Sequence, residues 1–253
     1  MNEVVRRERL LVYLGVAHVA LFVVCLLLAA VDPRVITGVN AWFKPAKFMI
    51  SVGIYLLTMA WILAPLDRAL RGVTAVRWMV AVAMSAEIVI IGGQAARGTT
   101  SHYNTSTMLD GTLFRLMGFF IVVNTAAAAW PLWMYLRKSP ALSGPLLLAV
   151  RLGLGIFVAA SLQGFTMIAN GAHTVGAADG ARGLFFLNWS LTHGDLRIAH
   201  FVGMHALQGL PLVAWLSGSR KAVLAVAAGW AAVFVLAFAL ALAGRPLLTL
   251  PAG

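Results

Sequence analysis

The 253-residue chain has little charge, few acids and a single cysteine. Charged residues make up 11%, where a soluble domain carries about 25%. That shortage excludes a disordered chain and a coiled coil. Cys25 stands alone inside an apolar run, which excludes an intrachain disulfide, a CxxC redox pair and a thiolate zinc cluster. No internal repeat is visible, and no Gly/Pro-broken pair recurs in matching halves as in many transporters. The last apolar run has no lysine, which excludes a retinal Schiff base there.

Apolar residues fill the space left by charge. They make up 61% of the chain, and the mean hydropathy is +0.91. A soluble globule could not hide that much apolar surface. A membrane-crossing helix needs about 20 mostly apolar residues. Seven stretches qualify: Leu10–Val31, Lys47–Leu66, Val76–Gly93, Thr112–Leu136, Leu146–Asn170, Leu196–Leu216 and Ala222–Ala243. The expected fold is therefore all-α, a seven-helix membrane bundle forming one integral domain over 1–253. The first run is too long for the apolar core of a signal peptide and reads as an uncleaved helix. The connections at 32–46 and 171–195 have room for interfacial helices.

Lys and Arg number 19 against 8 acids, a formal net charge of +11. With the N-terminus cytoplasmic, Arg6, Arg7, Arg9, Arg68, Arg71, Arg77 and four residues in the 137–138 and 220–221 turns fall on the inside with Arg151. The outer side holds Arg34, Lys44, Lys47, Arg97, Arg115, Arg182, Arg197 and Arg245. This bias predicts N-in, C-out, in a bacterial cytoplasmic membrane. It explains the inner charge by topology and removes the case for nucleic acid.

The three long connections fall on the expected extracytoplasmic side and hold most of the reactive side chains. The first carries Trp42, Phe43, Lys44 and Lys47. The second runs from Gln94 through Arg97 and His102 to Asp110. The third carries His193, Asp195 and Arg197 and leads into a helix with His200, His205 and Gln208. Asp195 is placed to cap that helix. At 100° per residue His200 and His205 diverge by about 140°, so one helix cannot aim both at one atom.

A second group lies deep. At 1.5 Å per residue, Glu87 is about 16 Å from the inner side, His205 about 14 Å and Asn124 about 18 Å from the outer side. His18 is expected near the same level, and Gln163 nearer the outer face. An ionisable group at that depth costs about 2.5–3.5 kcal/mol and is a functional candidate by default. The small-residue pairs Ala199/Gly203 and Gly92/Ala96 permit close approach of the third and sixth apolar helices.

Several functions fit these residues. The leading expectation is a metal-dependent membrane enzyme, a hydrolase or oxidoreductase acting on a lipid or small amphiphile from the outer side. Its zinc or iron would be held by His102, His193, His200 and His205, with His173 as a substitute ligand. Glu87, Asp110 and Asp195 would serve as catalytic carboxylates. Lys44, Arg97, Arg197, Asn124 and Gln208 would bind substrate. A second reading is a b-type cytochrome with non-covalent haem on His18 and His205. A third is a proton-coupled transporter relaying through Glu87, His205 and Asn124. A fourth is an assembly factor whose polar loops contact a partner.

The segments QAARGTTSHYN and HGDLRIAHFVGMHALQGLP, with Asp110, resemble those of a family of uncharacterised bacterial seven-helix membrane proteins. That resemblance implies the fold and no activity. A weaker likeness is to alkaline-ceramidase-type membrane hydrolases, which implies a test for zinc. It departs from that family in three places: the histidine pair here is H-x4-H, it lies on the sixth helix rather than the last, and no Ser-x3-His precedes it, Gly98 standing at that offset from His102.

Overall fold

The structure is a computed structural model describing residues 2–66, 71–138, 140–180 and 183–249. Arg68, Arg182 and the side chain of Arg71, all counted in the charge bias, lie outside the described residues. The described chain is all-α apart from two small β-ribbons. In chain order it forms α1 (Asn2–Arg7), α2 (Arg9–Val31), β1 (Val35–Ile36), β2 (Val39–Asn40), α3 (Phe43–Leu63), α4 (Arg71–Ala96), α5 (Met108–Arg137), α6 (Gly144–Asn170), β3 (Thr174–Val175), β4 (Gly194–Asp195), α7 (Leu196–Ser217) and α8 (Arg220–Leu242).

Among the described residues, α2, α3, α5, α6, α8 and the stretch of α4 from Gly72 are long and apolar enough to cross a membrane. Their outer faces carry large apolar side chains. Leu27, Val89 and Val235 are 64%, 72% and 60% exposed, and only 17% of the most apolar stretch of α2 or α8 is buried. Water would penalise such faces and hydrocarbon would not. These six helices mark an integral membrane protein. The expected seventh span, α7, forms as a helix at the expected place. His200, His205 and Gln208 dilute its hydropathy, and it stands outside the six.

The connections at 32–46 and 171–195 contain no helix among the described residues. The first makes the antiparallel ribbon β1–β2, in register Val35↔Asn40 and Ile36↔Val39. Its two-residue turn, Thr37-Gly38, takes positive φ at both positions, as tight hairpins require. The second pairs Thr174 with Asp195 and Val175 with Gly194. Extended ribbons satisfy the backbone with few residues, which is why these short polar stretches need no helix.

The chain divides into two compact units, Met1–Pro131 and Leu132–Gly253, with the division at the proline inside α5. In the first, α2 and α3 cross at two glycines: a Cβ on Gly15 would lie 3.1 Å from the Gly53 carbonyl oxygen, and the reverse distance is also 3.1 Å. The Glu8–Arg77 ion pair (2.5 Å) ties the start of α2 to α4. Arg34, just beyond α2, donates to the carbonyl of Ala96 at the end of α4 (2.8 Å). The two helices thus run in the same direction, joined near both ends.

In the second unit α6, α7 and α8 pack through small residues. A Cβ on Gly203 would lie 2.4 Å from the Ala160 methyl and 3.0 Å from the Phe234 ring. The small residue at 203 therefore serves α6 and α8, while Gly92 of the expected α4 pair faces open space among the described residues. The two helices that the small-residue pairs were expected to bring together belong to different units. Asp195 caps α7 as expected, and α7 ends at Gly218, whose φ of 58° leads directly into α8.

Gly153 has its Cβ position 2.9 Å from the backbone oxygen of Ala206, whereas Gly155 meets nothing within 4 Å. Overpacking a tight core contact costs about 1–3 kcal/mol. G153L should therefore lower the thermal midpoint in detergent clearly, and G155L should leave it nearly unchanged.

Candidate functional site

The expected site residues fall into two groups, one in each unit. In the first, the α4–α5 connection is organised by Asp110. Its Oδ1 accepts from Gln94 Nε2 and Arg97 Nη1 (both 2.8 Å). Its Oδ2 accepts from Thr107 Oγ1 (2.6 Å), with Ser106 Oγ nearby but donating to Asn104 Oδ1 (2.7 Å). Both carboxylate oxygens are therefore partnered. Asp110 is a joint between helix ends.

Beside it, Lys44 Nζ donates to His102 Nδ1 (3.1 Å), with Ser101 Oγ 3.0 Å from the same nitrogen. An ammonium only donates, so Nδ1 is the acceptor and the hydrogen of the neutral ring sits on Nε2. Phe48, Tyr103 and Phe114 surround this imidazole, with centroids 5.8, 6.1 and 6.4 Å away. At the α2–α3 connection, Arg34 and the Trp42 indole both bond Asp32 (2.6 and 2.7 Å). They hold the Asp32 carboxyl well below the usual carboxylate range.

Below this layer the same unit buries four polar side chains near its middle. Tyr55 donates to Asn124 Oδ1 (3.0 Å). His18 donates from Nδ1 to the Leu14 carbonyl one turn back (2.6 Å), which leaves its Nε2 lone pair without a partner among the described residues. Glu87 is 2% exposed, and its Oε1 is likewise unpartnered.

The heights follow from the Glu8–Arg77 pair. Glu8 already accepts from the Val12 amide, so it counts as the first residue of the α2 ladder. His18 lies ten residues beyond Glu8, and Glu87 ten beyond Arg77. At 1.5 Å per residue on two helices running the same way, both stand about 15 Å above the ion pair. Tyr55 sits two residues below the Gly15/Gly53 crossing, about 7.5 Å below the level of His18 and Glu87, so Tyr55 and Asn124 form a separate pair beneath them. Asn124 does not bond Glu87; its partner is Tyr55.

In the second unit Asp195 is partnered as Asp110 is. Its Oδ1 accepts from Arg197 N (3.0 Å) and Nε (2.9 Å), and its Oδ2 from Ser190 N (2.8 Å) and Arg197 Nη2 (2.6 Å). His193 Nδ1 contacts Thr192 Oγ1 (2.9 Å). His200 donates from Nδ1 to the Ala160 carbonyl (2.8 Å), and Gly164 leaves room for its ring. His205 donates from Nδ1 to the Phe201 carbonyl (2.7 Å). Gln208 lies nearly one turn beyond His205 on the same helix. Gln163 donates to the Leu196 carbonyl (3.3 Å).

His173 pairs with Asp179 (2.7 Å), a contact the sequence did not signal. Burial pushes the Asp179 carboxyl up. The hydrogen bonds and charge of His173, with the Thr174 amide, outweigh it and hold Asp179 well below the usual carboxylate range.

The expected metal ligands do not converge. Among the described residues, no three of His, Cys, Asp and Glu come together around a point that could hold a metal ion. His102 belongs to the first unit and His193, His200 and His205 to the second, so the expected histidine cluster is not supported. His18 and His205, the expected haem ligands, also lie in different units. The cations expected to meet an anionic substrate are engaged internally: Arg97 with Asp110, Arg197 with Asp195, and Lys44 with His102. Tyr55 escaped notice because one hydroxyl on an apolar helix gives no pattern. Comparison with protein-family models, curated proteins and solved structures gives no match.

The low Asp179 pKa carries a pH prediction. A carboxyl depressed in the folded state adds stability above its unfolded pKa, and that stability is lost as pH falls through the folded value. D179N should be less stable than the parent at neutral pH. The gap should close as pH drops below the usual carboxylate range, measured by unfolding midpoints in detergent.

Proposed function

We propose that this chain is a proton-coupled transporter of the bacterial cytoplasmic membrane. In this reading all seven long helices cross, with the N-terminus inside and α7 completing the bundle. Glu87 is the proton-binding carboxyl, and His18 Nε2 is the acceptor at the same level. The observation that carries the reading is the contrast among buried acids. Asp110 and Asp195 have both oxygens partnered, and Glu8 is held by two Arg77 donors (2.5 and 2.7 Å). Glu87 alone of the four keeps an unpartnered oxygen among the described residues. A joint between helices has no use for an unmet polar atom, whereas a site that gains and loses a proton needs one free.

The metal-hydrolase reading has less behind it, because Asp110 and Asp195 are partnered and its histidines are spread over two units. The haem reading shares that weakness, because His18 and His205 lie in different units.

Proton coupling is tested with the protein in vesicles. E87Q should cut pH-driven proton flux by about 100-fold, the scale expected for removing a proton-transfer group, and E87D should restore part of it. Infrared difference spectra should show a carboxyl signal that follows pH and vanishes in E87Q. Unchanged flux in E87Q, or a carboxyl signal indifferent to pH, overturns the reading.

A further inference from the structure

We propose that a cleft at the α1 end of the first unit binds a phosphate group, supplied by the headgroup of an anionic phospholipid. The cleft, about 480 Å³, is lined by Arg6, Arg7, Arg9, Leu10, Thr74 and Arg77. It is independent of the Glu87 layer, which lies about 15 Å away along the helices. Topology alone accounts for arginines at this end of the helices, but not for four guanidinium groups around one cavity.

Their partners do not balance them. Arg77 is held by Glu8, whose side chain is fully buried. Arg7 bonds the Ala64 carbonyl (3.0 Å) and Glu3 (2.9 Å). Arg6 reaches Glu3 only at 3.9 Å, with both side chains mostly exposed. Arg9 has no hydrogen bond or ion pair among the described residues. Among the described residues four arginines thus face two carboxylates, an excess of two positive charges. Planar guanidinium groups pair with phosphate oxygens through two donors at once, and the Thr74 hydroxyl adds a donor.

The surroundings favour a lipid as the source of the phosphate. Arg9 begins one candidate span, and Arg77 lies in the first turns of another. Leu10 supplies an apolar wall. Tyr13 and Trp78, next along the same helices, are 64% and 56% exposed, as aromatic side chains at headgroup level are.

The test uses the full chain in neutral detergent. Binding is read by native mass spectrometry and by thermal shift with phosphatidylglycerol, phosphatidylcholine or inorganic phosphate. Phosphatidylglycerol should bind and raise the midpoint, and phosphatidylcholine should not. R6A and R9A should each weaken binding about fivefold. T74E, which puts a carboxylate into the cleft, should abolish it. Neither arginine is needed to hold another residue, and the lipid-free midpoint controls for folding. Binding of inorganic phosphate alone, lost in the same variants, keeps the phosphate chemistry and assigns a soluble source. Equal binding by parent, R6A/R9A and T74E, or equal binding of both lipids, overturns the proposal.

Discussion

A polar group inside an apolar bundle must find its partner within the protein, because hydrocarbon offers none. That constraint governs nearly every side chain described above. Three histidines on apolar helices spend Nδ1–H on a backbone carbonyl: His18 on Leu14, His205 on Phe201 and His200 on Ala160. Asp110 collects three donors and Asp195 four. The ribbons at 35–40 and 174–195 pair backbone groups that a bare loop would leave open. The departures from this rule are few, and they are informative for that reason.

The Glu8–Arg77 pair turns the rule into a ruler. Both members are largely buried, so neither can move without leaving the other uncompensated. With Arg34 bonded to Ala96 at the other end, α2 and α4 run parallel. His18 Nε2 and Glu87 Oε1, the two unmet atoms of this unit among the described residues, each lie ten residues beyond a member of the ion pair. That coincidence is a consequence of helix geometry, and it makes Glu87 and His18 a candidate pair where either alone would be an isolated oddity.

The apolar helices were legible in the sequence because their signal is long and redundant. Twenty apolar residues survive several errors of boundary, and the observed ends differ from the expected ones by a few residues at most. That Glu87, His18 and Asn124 are buried inside helices was legible for the same reason. Pairing was not. The sequence put Asn124 with Glu87, but Tyr55 takes it, and no spacing rule connects positions 55 and 124. The histidines of the second half looked like a cluster because they are close in sequence. Helical rotation separates His200 from His205, and the α7 cap engages Asp195 before any metal could. The ribbons were missed because two-residue strands carry no periodicity.

Position within a helix explains why acids of one chemical type behave so differently here. At a helix start the first amide groups have no partner inside the helix, so a carboxylate such as Asp195 meets a free N–H at once and an arginine from the first turn completes the set. Asp110, near the start of α5, is instead met by side chains, Thr107 from the preceding turn and Gln94 and Arg97 from the end of α4. Glu87 is sixteen residues into α4, where every backbone donor is already spent on the turn before it. A partner for it must come from another helix or from a mobile species. Among the described residues no other helix fills its Oε1. The same geometry that makes the terminal acids permanent joints therefore leaves the mid-helix acid with an open oxygen.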